Sequence, residues 1–133
     1  VNSDLLYSQK ASGELEMHWL LQRTHSGTRS VLHLHPTYTV AAMMAGFDLQ
    51  DLASKFPEIY RYTRVANNVP VLPATSKELA KHTFDRMTKD GKIVYDVVGQ
   101  AQHGVCAFGK NPWDAFEHIE RLEHICKISL SAR

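Results

Sequence analysis

The sequence has little of several things on which other classes of protein depend. It holds two cysteines, Cys106 and Cys126, among 133 residues, which are too few for a disulfide framework. It contains no run of about 18 consecutive apolar residues, the length that a membrane span needs. Its first residues, VNSDLLYSQK, lack the charged and then apolar pattern of a secretory signal. We therefore expect a soluble protein of a reducing compartment, and the predicted location is the cytoplasm.

An excess of charge and internal repetition are lacking as well. Lys and Arg number 15 against 14 Asp and Glu, a net charge of +1, so the basic surface that binds nucleic acid is not expected. No repeat, low-complexity tract or linker divides the chain. The prediction is a single domain over residues 1–133 with neither nucleic acid nor a membrane as its partner.

Short helices and strands alternate along the chain. Apolar periodicity and capping residues predict helices over 14–24, 37–46 and 112–129, with a short helical turn over 48–55. They also predict a helix from the capping box at 75–78 up to the turn at Asp90 and Gly91. Alternating and β-branched residues predict strands over 30–35, 59–65, 93–98 and 104–108, and the proline-flanked stretch 69–73 is an edge strand or a connector. Because some strands lie too close in sequence for simple crossovers, the prediction is an α/β layered domain. Its central sheet is mixed and largely antiparallel, and helices flank it.

Histidine is abundant, with eight in the chain, and two of them form an H-x-H pair at the end of a predicted strand. Residues i and i+2 of a strand project from the same face, so His33 and His35 lie side by side, as in a chelating pair. His103 precedes Gly104 between two β-rich runs and is the candidate for a third ligand. Glu14 is a carboxylate that could complete the ligand shell or act as a base.

Plainer interpretations stay open for the same residues. His33 and His35 also fit partly exposed strand histidines with hydroxyl partners, and His103 by itself fits a turn residue bonded to the backbone. Four further histidines are assigned to the surface or to helix structure: His25, His82, His118 and His124.

Several segments, taken in order, resemble one known family. They are 12–18 (SGELEMH), 31–39 (VLHLHPTYT), 76–80 (SKELA) and 102–105 (QHGV), followed by the helix that begins near Trp113. In this order and at these spacings they resemble the zinc-dependent class II sugar-phosphate aldolases. These are the fuculose- and rhamnulose-phosphate aldolases, in the superfamily shared with ribulose-phosphate 4-epimerase and adducin. The resemblance covers about residues 11–128.

The resemblance implies a site and a reaction. His33, His35 and His103 match the family's zinc-binding histidines, and Glu14 matches the acidic residue that binds zinc at rest and serves as acid and base. The implied reaction cleaves a ketose 1-phosphate to dihydroxyacetone phosphate and an aldehyde, through an enediolate that Zn²⁺ stabilises. His18 lies one helical turn after Glu14, at the spacing from which it could orient the carboxylate.

The resemblance also sets expectations beyond the zinc site. The family's phosphate-binding loops lie in an N-terminal segment, and we expect this chain, which begins at Val1, to lack that segment as a fragment or processed form. The family is commonly tetrameric, so a homo-oligomer is expected. Tyr60 and Tyr62 are assigned to a strand rather than to catalysis. Two alternatives stay open: an isomerase of the ribulose-phosphate 4-epimerase type, and a non-catalytic, adducin-like interaction domain.

Overall fold

Helices and strands alternate through the computed structural model, which describes residues 12–24 and 29–132. In chain order the elements are α1 (Leu15–Gln22), β1 (Ser30–Leu34), α2 (Thr37–Met44), α3 (Leu49–Ala53), α4 (Pro57–Tyr62), α5 (Lys77–Met87), β2 (Thr88–Lys89), β3 (Lys92–Ile93), β4 (Val97–Gln100), β5 (Gly104–Gly109) and α6 (Pro112–Ser131). No helix in the described ranges combines the length and the apolar character that a membrane crossing requires.

The central sheet has the strand order β1-β5-β4, and both pairings are antiparallel. Residues 65–69, here named the edge segment, run beside β4 in the parallel direction through bridges from Val65 to Val97 and from Val69 to Gln100. The sheet is therefore mixed and largely antiparallel, as the sequence predicted. The run predicted over 69–73 joins the sheet only at Val69, and the rest of it is a connector.

Successive residues of β5 alternate between two cores, one on each face of the sheet. Val105 and Ala107 pack with buried residues of α2, α3, α4 and α6, whereas Cys106 and Phe108 pack with buried residues of α1 and α5. The period-2 alternation of a strand causes this division. The result is a sheet with helices on both faces, which confirms the predicted layered α/β class.

Side-chain caps mark where two long helices begin, at Asn111 as the sequence predicts and at Ser76, one residue after the Thr75 that the capping-box spacing indicates. Asn111 accepts a hydrogen bond from the backbone N–H of Asp114 at 2.8 Å, with Pro112 in the first turn of α6. Ser76 accepts one from the N–H of Leu79 at 3.1 Å and so caps α5. These bonds use donors that a helix N-terminus otherwise leaves without a partner.

The strand predicted over 59–65 is wrong. Residues Pro57–Tyr62 form the short helix α4, with proline in its first turn. Ile59 and Thr63 are buried while the three residues between them are exposed, which is the spacing of four that a helix face shows. Apparent alternation of aromatic and charged residues imitated a strand, but burial against α6 follows the helical period.

The strand predicted over 93–98 is divided in the structure. Asp90 and Gly91 adopt φ values of 53° and 76°, the left-handed pair that a tight two-residue hairpin requires. They join β2 to β3, so Ile93 belongs to this small hairpin and β4 begins only at Val97. β4 and β5 then form the second hairpin, one of the two arrangements left open by the sequence.

Candidate metal centre

His33 lies in β1 on the face of the sheet that α1 and α5 cover. It follows Val31 by two residues, and Val31 packs in the core on that face. The Nδ1 of His33 lies 2.9 Å from the carbonyl oxygen of Val105 in the neighbouring strand. Because a carbonyl only accepts, Nδ1 carries the hydrogen and donates it, and Nε2 keeps its lone pair. A backbone carbonyl behind the ring is the usual support of a metal-binding histidine.

His35 follows the last residue of β1 and converges on the same point. Its Nε2 lies 3.1 Å from the Nε2 of His33. Gly104 makes this approach possible, because a Cβ atom there would collide with the carbonyl oxygen of Leu34 and lie 2.6 Å from Cδ2 of His35. A glycine in the facing strand thus allows the end of β1 and the His35 ring to pack closely.

His103 reaches the pair from the loop of the β4–β5 hairpin. The loop turns at Gln102, which has a φ of 57°, and the N–H of His103 donates to the carbonyl of Gln100 at 3.0 Å. The three imidazole rings then form a nearly equilateral triangle, with centroid separations of 4.9, 5.0 and 5.1 Å.

Each of the three histidines offers one ring nitrogen, and these nitrogens all lie within 4.8 Å of one another. Among the described residues, they are the one group of three or more His, Cys, Asp or Glu side chains placed closely enough to hold a metal ion. Two imidazole nitrogens on one tetrahedral zinc ion lie about 3.3 Å apart, because Zn–N bonds are about 2.0–2.1 Å long. The His33–His35 separation of 3.1 Å is close to that value. The donor set therefore fits a divalent metal of the zinc type.

Glu14 stands at the start of α1 with its carboxylate turned towards the histidines. Its Oε1 lies 3.6 Å from Nε2 of His103, and the two side chains are 17% and 14% exposed. The buried residues Met17 and Leu21 fix α1 on the sheet. Gly13, just before Glu14, packs so closely on the turn before α5 that a Cβ there would lie 2.6 Å from Cβ of Thr75.

Burial favours the neutral, metal-binding form of His33. The pKa of His33 is lowered chiefly by desolvation, while the Glu14 charge and the Val105 carbonyl raise it and the other two rings lower it. Desolvation also lowers the pKa of His18, against the charge of Glu14. A neutral imidazole keeps a lone pair for a metal, so a lowered pKa favours the ligand form at neutral pH.

The thiol beneath the site is inert. Cys106 pairs with His33 across the sheet and is fully buried. Burial raises the pKa of this thiol far above its ordinary range, and the pKa of Cys126 is raised to about 11 for the same reason. Because the thiolate is the reactive form, neither cysteine is a nucleophile in this fold.

Comparison with known proteins gives the chain a family. Residues 2–130 match the sequence profile of the Class II Aldolase and Adducin N-terminal domain, which is nearly the whole of the 133-residue chain. The chain belongs to this family. Its resemblance to class II aldolases, first drawn from the ordered motifs, is thereby confirmed. Enzymes of the class II aldolase superfamily are typically metal-dependent, and the His33, His35 and His103 triad can bind a metal.

Relatives within the class II aldolase superfamily carry different activities in their names. The chain is 29% identical over 129 residues to a 3-oxo-tetronate 4-phosphate decarboxylase of Pectobacterium atrosepticum, covering 96% of this chain and 57% of the relative. It is 23% identical over 135 residues to an L-ribulose-5-phosphate 4-epimerase of Salmonella paratyphi C, covering 93% and 56%. The chain therefore spans little more than half the length of these relatives.

Solved class II aldolases share the fold. The structure of an L-fuculose 1-phosphate aldolase superposes with a TM-score of 0.70 at 25% identity, covering 91% of this chain and 53% of the aldolase. The layered architecture with a mixed, largely antiparallel sheet is thus that of class II aldolases.

The remaining histidines lie away from the triad. His82 is exposed, as predicted, and His25 lies outside the described residues. His124, assigned to helix structure from the sequence, is also exposed. His118 is 6% exposed. It lies 2.8 Å from Oγ1 of Thr63, and its Nε2 faces the carboxylates of Asp96 and Asp114 at 3.9 and 3.8 Å. The structural role expected for His118 agrees with these contacts, which tie α6 to the end of α4.

Two polar residues near the site escaped the sequence analysis. Gln100 is fully buried, and its Nε2 donates to Oγ1 of Thr83 at 2.9 Å and to Sδ of Met17 at 3.2 Å. It therefore ties the hairpin that carries His103 to α1 and α5. Its Oε1 is the buried side-chain oxygen left without a partner among the described residues. The second residue that escaped the sequence analysis is Glu123 of α6. Its carboxylate accepts a hydrogen bond from a backbone N–H at the N-terminus of α2. Gln100 lies in no local motif, and the sequence marks Glu123 only as half of a helical pair with Lys127, so neither was connected with the site.

A cavity of about 320 Å³ opens beside His35, between the end of β1 and α6. Phe116 and Ile119 form its apolar wall, and Glu120 and Glu123 lie at its edge. A larger cavity, about 570 Å³, lies between α3, α4 and the edge segment, and its lining includes none of the three clustered histidines. One space next to the candidate metal site thus lies on the α6 side of His35.

Proposed function

We propose that residues 1–133 form the metal-binding domain of a zinc-dependent lyase that cleaves a ketose 1-phosphate to dihydroxyacetone phosphate and an aldehyde. The observation that carries this proposal is the convergence of His33, His35 and His103 beside the carboxylate of Glu14. Zinc is the metal of choice because three histidine nitrogens with an open position are the donor set of catalytic zinc sites.

The metal, when bound, would polarise a substrate carbonyl as a Lewis acid and accept the charge that develops as the carbon–carbon bond breaks. The chain's own residues divide the other tasks. His33 is held in one tautomer and one orientation by the Val105 carbonyl. His103 and Glu14 approach from the hairpin and from α1, so the carboxylate stands at the edge of the triad rather than inside it.

Glu14 is the residue proposed to move the proton. A carboxylate must lie within hydrogen-bond reach of the carbon or oxygen that it serves, directly or through one water. Glu14 begins α1 and makes no capping bond with its side chain, so the carboxylate is not committed to the helix backbone. In the cleavage direction it delivers a proton to the carbon that loses its bond, and in the condensation direction it removes that proton.

A second candidate is epimerase chemistry at the same site. The similarity to an L-ribulose-5-phosphate 4-epimerase supports it, and the similarity to a decarboxylase extends the range to 3-oxo acids. Aldol cleavage, epimerisation by retro-aldol cleavage and decarboxylation of a 3-oxo acid each break a carbon–carbon bond and leave the electron pair conjugated with a carbonyl. One metal and one carboxylate therefore serve all three reactions.

An adducin-like interaction domain is the non-catalytic alternative. A domain of that kind has no need of three converging imidazoles with a carboxylate 3.6 Å from one of them. We further propose that the protein is a cytoplasmic homo-oligomer, tetrameric as in the resembling aldolases, whose neighbouring subunits complete the sugar-phosphate pocket. Light scattering tests the assembly, and a monomer would contradict it.

The first experiment measures bound metal in the purified chain by plasma mass spectrometry. We expect about one zinc per chain, loss of zinc in His33→Ala, and retention in the matched control His82→Ala, whose side chain is exposed on α5. Protein purified without chelators that holds no metal, or a His33→Ala variant that keeps it, would overturn the proposed centre.

A second experiment separates the candidate reactions. The zinc-loaded protein is given fuculose 1-phosphate, rhamnulose 1-phosphate and ribulose 5-phosphate, and dihydroxyacetone phosphate and epimerised sugar are measured. Release of dihydroxyacetone phosphate that Glu14→Gln abolishes supports the lyase. If the protein only epimerises its substrate, the isomerase replaces the lyase as the proposed function. If the zinc-loaded oligomer turns over none of the substrates, the interaction domain is favoured.

A further inference from the structure

We infer that Glu123 is a positioning residue for the ligand His35, which it holds in place through the N-terminus of α2. The inference rests on the proposed metal centre and adds a residue to it from α6, the helix on the opposite face of the sheet from α1. Glu123 lies 88 positions after His35 in the chain and is not a sequence neighbour of any of the three clustered histidines.

Glu123 makes three hydrogen bonds to the first turn of α2. Its Oε1 accepts from the backbone N–H of Thr39 at 2.7 Å and from the Thr39 hydroxyl at 2.8 Å. Its Oε2 accepts from the N–H of Tyr38 at 3.1 Å. Thr39 is fully buried. A carboxylate that accepts backbone N–H bonds at a helix N-terminus forms the stronger, charge-assisted kind of hydrogen bond.

These bonds replace a cap that α2 does not have. The residue at the N-cap position is Pro36, which makes no capping bond, and the first turn of α2 contains no acidic residue. Without Glu123 the N–H groups of Tyr38 and Thr39 would lose these protein acceptors. The cap of α2 is therefore supplied from another helix, and α2 begins where Glu123 holds it.

His35 lies in the short link between two held points. On one side Leu34 is the last residue of β1 that pairs with β5, opposite Val105. On the other side Pro36 leads directly into the first turn of α2, which Glu123 binds. Release of the α2 end would leave the backbone at His35 held on the β1 side alone, and the ring would no longer be kept 3.1 Å from His33.

The helix that carries Glu123 is itself firmly placed. Leu122 and Cys126 of α6 are fully buried, and Ile119 and Ile125 are each 2% exposed. The sequence predicts a pair between Glu123 and Lys127. Among the described residues, however, α6 has a salt bridge between Glu117 and Arg121 at 3.3 Å and none between Glu123 and Lys127. Glu123 instead turns inwards to α2.

The test measures zinc affinity by competition with a chromophoric chelator. Glu123→Ala is expected to weaken binding about tenfold, the lower end of what loss of a supporting residue costs a metal site. Glu123→Gln should fall between Ala and wild type, because its amide oxygen can still accept from Thr39 whereas its NH₂ group cannot accept from Tyr38. Glu117→Ala removes the same charge from an exposed position on α6, outside the cavity beside His35, and should bind as wild type.

Combination with variants that keep all three ligands distinguishes positioning from a general loss of structure. If Glu123 acts through His35, Glu123→Ala has little further effect on zinc affinity in a Gly104→Ala background, where a Cβ already displaces the His35 ring, and keeps its effect in a Glu14→Gln background. Equal weakening in both backgrounds, or wild-type affinity in Glu123→Ala, would overturn the inference alone. Wild-type protein that binds no zinc would overturn the metal centre and the inference together. Circular dichroism of each metal-free variant shows that it is folded.

Discussion

Adding a single methyl group at Gly104 should weaken metal binding by more than the loss of folding stability explains. In the structure a Cβ on Gly104 would collide with the backbone oxygen of Leu34 and stand 2.6 Å from Cδ2 of His35. Carbon atoms in contact lie about 3.5–4.0 Å apart, so Gly104→Ala must move the His35 ring by roughly 1 Å. The φ of Gly104 is outside the left-handed region, so the entire cost is steric.

The size of the effect follows from this crowding. A methyl group forced into a packed site costs about 1–3 kcal/mol of unfolding free energy. Metal affinity should fall by about 10–100-fold, as when the support of a ligand is lost, because the three nitrogens no longer converge within bonding distance of one ion. Gly91→Ala is the matched control. It stands in open space with a φ of 76°, so it should cost about 1–2 kcal/mol by backbone strain and leave metal binding unchanged.

The assays are urea unfolding of the metal-free protein and zinc competition with a chromophoric chelator. The reasoning predicts that the two glycine variants lose comparable stability and that only Gly104→Ala loses zinc. A Gly104→Ala protein that binds zinc as tightly as wild type would refute the assignment of His35 as a ligand held by this close contact. Zinc loss in Gly91→Ala would show that affinity follows stability alone.

Two further predictions concern residues away from the triad. Burial lowers the pKa of His118 from 6.5, against the charges of Asp96 and Asp114. The unfolded chain therefore binds more protons as the pH falls below 6.5, and stability declines from that pH downwards. His118→Asn should flatten the pH profile of urea unfolding below pH 6.5, and an unchanged slope would contradict this origin. The carboxylate of Asp48 accepts three hydrogen bonds. One comes from a backbone N–H of α3 at 3.2 Å, and two come from the edge segment at 2.9 and 3.1 Å. Asp48→Ala should cost about 2–3 kcal/mol in urea unfolding with zinc retained, whereas the exposed Asp51→Ala should cost little. Equal costs would contradict the bonding seen for Asp48.

Much of the fold was predictable because its signals are local. The Asn111 cap names the start of α6, since a side-chain oxygen three residues before an N–H closes the same bond in sequence and in structure. The capping box at 75–78 places the start of α5 to within one residue of the Ser76 cap. The period of two places His33 and His35 on one face. The turn at Asp90 and Gly91 marks the end of the α5 region, but the sequence did not show that it begins a separate hairpin.

Helix α4 was not predictable by these signals. Over seven residues an alternating pattern and a helical pattern agree at several positions, and the choice was made by what lies against the segment. Ile59 and Thr63 pack against α6, and these contacts exist only in the folded chain. The third histidine presented a similar difficulty. By itself His103 fitted a turn residue as well as a third ligand, and the ordered set of motifs favoured the ligand.

The sequence by itself determined the class of the fold, the family, and the four residues, Glu14, His33, His35 and His103, that the structure brings together. These depend on residue type, spacing and order, all of which are written along the chain. Only the tertiary structure decided how the four are held. The Val105 carbonyl behind His33, the space that Gly104 leaves for His35 and the carboxylate of Glu123 at the start of α2 are contacts between distant segments. No local pattern encodes such contacts, because they exist only once the sheet has paired and α6 has packed against it.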